Sequence, residues 1–473
     1  MSSNTTGSFD ATEKVLVIGL GRSGRASVAV LRRRGATVLA TDEKPPGELE
    51  EIVVALEKQG VGFIPPGSIE DSIDDVTAAI LSPGVPLNSE LVRRVQAKRI
   101  PVFSEIEVAY RICKSPIVAI SGTKGKTTTT ALVGEIFRHA GHKTRVGGNI
   151  GDPLIEQTVD AGEDEWVIAE VSSFQLEAIR SFKPRISLLL NISPDHLDRY
   201  HSMDEYTEAK FRIFANQGPS DTFVGNLDDP RIATLAEGEN AVRVHARALW
   251  FASAPHRNTT LYVRGEKTIM YAPPTGDPRP VEIMKIDEIP LRGAHNVENV
   301  MGAILSALAA GIEPALVREA VMAFEALPHR LELVGTIDGI DYVDDSKATN
   351  PGSVIAALRS FERPIVLIAG GKAKGTDFAE LGKVISSRTK GAVLIGESAD
   401  AIAATVKRSH VERASSMREA VEAAARLAKP GDVVLLSPGC ASFDMFSSAE
   451  ARGDEFDKIV AERSSKSEAL SPT

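Results

Sequence analysis

Short runs of β-branched and aliphatic residues alternate along this chain with longer, Ala-rich stretches in which apolar positions recur every third or fourth residue. The runs predict buried strands and the stretches predict amphipathic helices. Their alternation predicts an α/β fold with mainly parallel sheets. Three regions are organised alike. The first opens with Val15-Leu-Val-Ile-Gly-Leu-Gly-Arg-Ser-Gly24 and has further runs at 37–42 and 78–82. The second opens with Ile117-Val-Ala-Ile120, a Gly-rich turn and a helical pattern over 128–139, and has runs at 166–171 and 186–191. The third has runs at 364–371, 391–396 and 432–439. Most of these runs end in Gly, Ser or Asp, as strands do when a ligand crevice lies beyond their carboxyl ends. Punctuation near 111–116 and 326–330 predicts three domains, at 1–112, 113–327 and 328–473. The Pro/Gly/Arg-rich stretch 254–280 predicts a hairpin-bearing excursion of the middle one.

Composition narrows the partners. A net charge of −10 over 473 residues argues against nucleic acid as the main partner, so any anionic ligand must be held by local cations and helix ends. Cys113 and Cys440 lack metal-ligand spacing, which predicts reduced thiols and a cytoplasmic protein. The polar stretch 1–14 has no signal-peptide core, and it and 464–473 read as loose tails. The most apolar helical stretch, 300–312, is too short to span a membrane.

The turn after Ile120 reads Ser-Gly-Thr-Lys-Gly-Lys-Thr127. Such a turn leaves backbone N–H groups uncommitted at a helix N-terminus, where the helix dipole favours anions. Lys126 supplies a point charge for outer phosphates and Thr127 a hydroxyl for Mg²⁺. Ile120 stands where the first glycine of the usual phosphate loop belongs, with Gly122 two residues later. Gly-Lys-Thr directly after a strand nevertheless predicts ATP binding. A second fingerprint, Gly19-x-Gly21-x-x-Gly24 with Asp42 ending the next strand, satisfies the dinucleotide pattern. It also fits glycines that serve only strand–helix packing, and it leaves a nicotinamide-dependent dehydrogenase open for the first region taken alone.

The middle region carries an acidic and basic constellation. Glu170 ends a strand just before Ser172-Ser-Phe-Gln175, a capping-box pattern, and His196 follows the strand ending near Leu190. If those strands run parallel to 117–120, Thr127, Glu170 and His196 converge on one edge as a set suited to Mg²⁺. A capping Glu and a loop His are the plainer readings. On a predicted helix over 203–214, Lys210 shares a face with Tyr206, Ile213 and Phe214. A lysine there either snorkels outward or, if buried, loses its proton, and the neutral amine can capture CO₂ as a carbamate.

Four stretches, Gly122-Thr-Lys-Gly-Lys-Thr127, Glu170-Val-Ser-Ser-Phe-Gln-Leu-Glu177, Asn191-Ile-Ser-Pro-Asp-His-Leu-Asp-Arg-Tyr200 and His295-Asn-Val-Glu-Asn299, resemble the Mur ligases. Leu327-Pro-His-Arg330 with Asp344-Asp-Ser-Lys-Ala-Thr-Asn-Pro351 resembles the D-glutamate-adding branch of that family. The resemblance runs from about Val15 to Lys458. It implies a Rossmann-like N-terminal domain for a UDP-linked substrate, a central P-loop-type ATPase domain with a mainly parallel sheet, and a Rossmann-like C-terminal domain. The implied activity is ATP-dependent addition of D-glutamate to UDP-N-acetylmuramoyl-L-alanine through an acyl phosphate, in cytoplasmic peptidoglycan precursor synthesis, by a monomer.

The resemblance also implies residue roles. Gly122, Thr123, Lys124, Gly125, Lys126, Thr127 and Thr128 would cradle ATP, with His295 and Asn299 against adenine and Arg330, Asp345 and Lys347 reaching phosphate and ribose. Thr127, Glu170, His196 and a carbamylated Lys210 would hold two Mg²⁺ ions, with Lys126, Lys210 and His196 as catalytic groups. Ser23, Asp42, Lys44, Ser82 and Asn149 would line the UDP-substrate site. Thr349, Lys374 and Ser442 would recognise D-glutamate. Ala449 departs from the aromatic residue common in the family, Lys124 stands where Asn is common, and Arg22 and Glu43 leave base recognition open. Domain closure would use the connections near 111 and 328 as hinges. Another amino-acid-adding Mur ligase, a folylpolyglutamate synthase and a non-catalytic ATP-binding regulator are the competing readings.

Overall fold

Among the described residues the strands form three sheets, as the three-fold pattern of strand runs predicts. The computed structural model describes residues 9–470 apart from 150, 196–198, 238, 275–278, 292, 326, 374 and 375. The first sheet has five parallel strands in the order Gly62–Phe63, Thr37–Thr41, Lys14–Ile18, Ala78–Leu81, Val102–Ser104. The second has nine. Towards one edge it runs Thr222–Asn226, Ile186–Leu189, Ile117–Ser121, Glu165–Glu170, Lys143–Gly148, all parallel. The excursion at 254–280 holds the predicted hairpin, with Leu261–Arg264 antiparallel to Thr268–Tyr271, and Val281–Lys285 pairs with the latter to form that edge of the sheet. The third sheet has six strands, five of them in parallel pairings, and is edged by the antiparallel strand Glu332–Ile337.

The chain divides into two compact units, Met1–Glu288 with Glu298–Phe324, and Ile289–Val297 with Glu325–Thr473. The first unit contains both the first and second sheets. Their connection differs from the hinge expected near 111. The buried Glu107 carboxylate accepts the backbone N–H groups of Arg180, Ser181 and Phe182 at 2.8–2.9 Å and pairs with Arg111 at 2.8 Å. Two steps earlier, Glu105 accepts the Ile155 N–H at 2.6 Å, and the Ser104 N–H reaches the Ala178 carbonyl. A carboxylate that satisfies several otherwise orphaned donors is costly to pull away, so the helix Glu105–Ile112 is fastened to the central region.

Candidate nucleotide and substrate sites

The parallel order of the central strands puts the carboxyl ends of Ile117–Ser121, Glu165–Glu170 and Ile186–Leu189 side by side. Ile120 is in register with Glu170 and Ser121 with Leu189. The Gly-rich turn leaves the middle strand and opens the helix Lys126–His139, two residues earlier than its pattern predicts. Gly125 caps it at φ +79°, and a Cβ there would sit 2.0 Å from Asn299 Oδ1, so only glycine lets the turn lie against Asn299. His295 and Asn299 share the helix Ala294–Ala309.

Asn191 shapes the turn from below. Its Oδ1 accepts the N–H groups of Thr123 and Lys124 at 3.1 and 2.8 Å, and its Nδ2 returns a bond to the Lys124 carbonyl. Thr123 Oγ1 lies 3.2 Å from Tyr206 Oη and accepts the Ser193 N–H. Asn191 and Tyr206 were not among the predicted site residues. Asn191 stands in the Asn-Ile-Ser-Pro-Asp-His stretch, so the signal was present, but an Asn that props a loop has no signature apart from its neighbours.

Thr127 and Glu170 meet as predicted, with Thr127 Oγ1 donating to Glu170 Oε2 at 2.9 Å. Asn149 donates from Nδ2 to Glu170 Oε1 at 2.8 Å. The carboxylate is thus held from both sides on one sheet edge. The third member of that set, His196, lies outside the described residues.

Lys210 is 1% exposed, so the outward-snorkelling reading is overturned. The helix Met203–Phe211, started by the Ser202 cap, turns it inward, and a 3-10 turn over Arg212–Phe214 completes the predicted segment. Its amine donates to the Gly122 carbonyl at 2.8 Å and lies 4.7 Å from the Tyr206 ring centre. Lys126 donates to that same carbonyl, and to that of Thr123, each at 3.0 Å. Burial first, and the neighbouring Lys126 second, push the Lys210 amine well below the usual lysine range, against the opposing pull of Asp195 and Glu170. A buried amine that readily loses its proton is a nucleophile.

Ser23, Asp42, Lys44, Ser82 and Asn149 all line one cleft of about 610 Å³ between the first and second sheets, and Gln175 joins them. Asp42 and Ser82 build this cleft as well as facing it. Asp42 accepts the Leu20 and Lys44 N–H groups at 2.6 and 2.9 Å, and Ser82 donates to the Gly19 carbonyl. A Cβ on Gly24 would lie 1.8 Å from the Gly19 carbonyl oxygen, so the third glycine of the fingerprint serves close packing. Ser172 and Gln175 form the predicted capping box.

In the second unit, Asp345, Lys347, Thr349 and Ser442 leave the carboxyl ends of neighbouring strands. The loops are laced together, with the Gly439 N–H on the Ala348 carbonyl and Lys372 and Ala441 exchanging backbone bonds. Asp345 is buried, accepts the Ser437 hydroxyl at 2.8 Å, and is pushed up to about 7 by burial against the pull of Arg330. Lys347 pairs with Glu450 and holds that carboxyl down to about 2. Lys374 lies outside the described residues.

Comparison with known proteins agrees with this geometry. Family models match as the Mur ligase MurD-like N-terminal domain over residues 13–104, the Mur ligase middle domain over 120–307, and the Mur ligase glutamate ligase domain over 329–440. The chain belongs to the Mur ligase family. A relative from Pelotomaculum thermopropionicum, named UDP-N-acetylmuramoylalanine–D-glutamate ligase, is 46% identical over 95% of this chain and 97% of its own length. One of the same name from Koribacter versatilis is 41% identical over 95% and 97%. Among solved structures, MurF from Acinetobacter baumannii superposes with a TM-score of 0.59 at 17% identity, covering 97% of this Mur ligase and 91% of that chain. The UDP-N-acetylmuramate-alanine ligase MurC from Thermotoga maritima gives 0.58 at 21%, covering 95% and 99%. These likenesses establish the three-domain α/β fold. Among the described residues, no helix is long and apolar enough to cross a membrane.

Proposed function

We propose that this Mur ligase joins D-glutamate to UDP-N-acetylmuramoyl-L-alanine with cleavage of ATP. Near full-length similarity to ligases of that name carries the reading, and the buried Lys210 amine beside the phosphate turn gives it a chemical centre. Domains at 1–112, 113–327 and 328–473 would take the UDP-linked substrate, ATP and D-glutamate in turn.

Lys126 and the turn from Gly122 to Thr128 bind the phosphates, while Asn299 packs on the turn and His295 shares its helix. The oxygen-rich pair Thr127–Glu170 fits Mg²⁺, a hard cation that keeps waters and phosphate oxygens. With His196 it would hold one ion, and a carbamate on Lys210 would help hold a second. Bound there, the ions would offset charge gathering on the transferred phosphoryl group. Ser23, Asp42, Lys44, Ser82 and Asn149 seat the UDP-linked substrate so that its carboxylate attacks the γ-phosphorus and releases ADP. Arg330, Asp345 and Lys347 meet phosphate and ribose from the last domain. Thr349, Lys374 and Ser442 orient D-glutamate, whose amine displaces phosphate from the acyl phosphate. Closure excludes the water that would otherwise hydrolyse that intermediate. The enzyme acts as a cytoplasmic monomer.

Phosphate release from ATP with UDP-N-acetylmuramoyl-L-alanine tests this, offering D-glutamate, L-glutamate, L-lysine or meso-diaminopimelate separately. Release that depends on D-glutamate alone is the expected result. Release with another amine keeps the ligase chemistry and overturns the D-glutamate assignment.

A further inference from the structure

Among the described residues, the largest side chain buried to below 2% exposure is a cation. Arg452, on the helix Ala449–Leu470, is 1% exposed. Its guanidinium donates from Nε to Ser346 Oγ at 3.0 Å, from Nη2 to the Ser346 carbonyl at 2.7 Å, and from Nη1 to the Cys440 carbonyl at 3.1 Å. Ser346 Oγ in turn donates to the Ala449 carbonyl at 2.7 Å, tying the loop to the start of that helix. A Cβ built on Gly371 would come within 3.3 Å of Nη1, so the Gly371 turn packs against the same group. One planar fork therefore touches three loops. Two of these loops carry Thr349 and Ser442, and the third is the Gly371 turn.

The bonds from Arg452 go to neutral oxygens. Asp344 and Asp444 act on it through charge, but neither accepts a hydrogen bond from it. Asp344 accepts from His329 Nδ1 at 2.6 Å and the Ser346 N–H at 2.7 Å, and Asp444 Oδ2 accepts the Glu397 N–H at 2.9 Å. Burying a cation without a hydrogen-bonded anion is costly, and the field it leaves acts on whatever anion comes to the loops above it. Burial lowers the guanidinium only to about 10, so it stays charged at neutral pH. A lysine offers no fixed fork and could not hold three loops at once.

We infer that Arg452 is the positioning residue of the amino-acid site, setting the spacing of the loops that carry Thr349 and Ser442 against the Gly371 turn and supplying positive potential for the carboxylates of D-glutamate. The inference rests on the reading of Thr349 and Ser442 as part of the D-glutamate site. It explains how Ala449 can replace an aromatic residue, since Ala449 contributes its backbone carbonyl to this network.

The test is steady-state phosphate release with each substrate varied in turn, on wild type, S442A, R452K and R452M. R452M is expected to raise KM for D-glutamate about 10- to 100-fold, KM for ATP by less because Asp345 and Lys347 flank Ser346, and KM for the UDP-linked substrate less than about 2-fold. R452K keeps the charge but not the fork and is expected to raise it about 3- to 10-fold. An unchanged KM for D-glutamate in either folded variant, or an equal rise in all three KM values, overturns the inference. If R452M does not fold, R452K with its melting temperature decides alone. Wild type that needs no D-glutamate, or S442A with an unaltered KM for it, would instead count against the site assignment itself.

Discussion

Lys210 and Arg452 are both cations buried to 1% exposure, and both donate to backbone carbonyls at the carboxyl edge of a sheet. Burial does opposite things to them. The lysine can shed its proton, so desolvation and the nearby Lys126 turn it into an amine available for chemistry. The arginine keeps its charge, so desolvation turns it into a fixed field and a rigid brace. The same physical expense yields a reactive group in one sheet and a scaffold in the other.

Exchanging the two chemistries breaks the comparison most sharply. Lys210→Arg puts a permanent cation of greater bulk where a neutral amine can form, and it is expected to lower kcat at least ~10³-fold and the melting temperature as well. Substantial activity in that variant would mean that a cation, and not a carbamate, is what the site needs. Depleting CO₂ should lower wild-type activity reversibly, with labelled bicarbonate entering wild type but not the arginine variant.

The support around Glu170 comes next. Thr127→Val removes the hydroxyl from Glu170 and is expected to lower kcat about 10²-fold or more, measured at saturating ATP and over a Mg²⁺ titration. Gly125→Ala forces a Cβ into Asn299 at a left-handed φ, and ATP affinity by calorimetry should fall about 10- to 100-fold. Indifference to this change would mean that the turn can move off Asn299.

The smallest effect is a pH dependence in the fastened joint. Glu105 is buried, and its carboxyl is pushed up to about 7, chiefly by burial. A raised carboxyl stabilises the fold fully below its unfolded value, and that contribution is lost as pH rises through about 7. Glu105→Gln should therefore match wild type near pH 4 and exceed it by ~1–3 kcal/mol near pH 8, read from denaturation midpoints. A constant difference across that range would place the ionisation elsewhere.

Strand runs, glycine turns and capping boxes were legible because they depend on local spacing, and the Thr127–Glu170 meeting followed once parallel pairing was assumed. The residues that the resemblance assigns to a UDP-linked substrate converge on one cleft. Asn191, Tyr206 and Arg452 were not found, because each acts through groups distant in the chain: Arg452 bonds Ser346, more than a hundred residues away. Glu105 and Glu107 sit on a helix that reads as an ordinary amphipathic linker, and nothing local announces that their carboxylates catch backbone from 155 and 180–182.

By itself the sequence determined the α/β class, the three strand-rich regions, the phosphate turn and the chemical types available at each strand end. These are properties of short-range backbone preference and side-chain periodicity. Tertiary structure decided which way Lys210 points, how firmly the first joint is held and what Arg452 braces. Each of those depends on desolvation, and desolvation is set by what the rest of the chain packs around a residue.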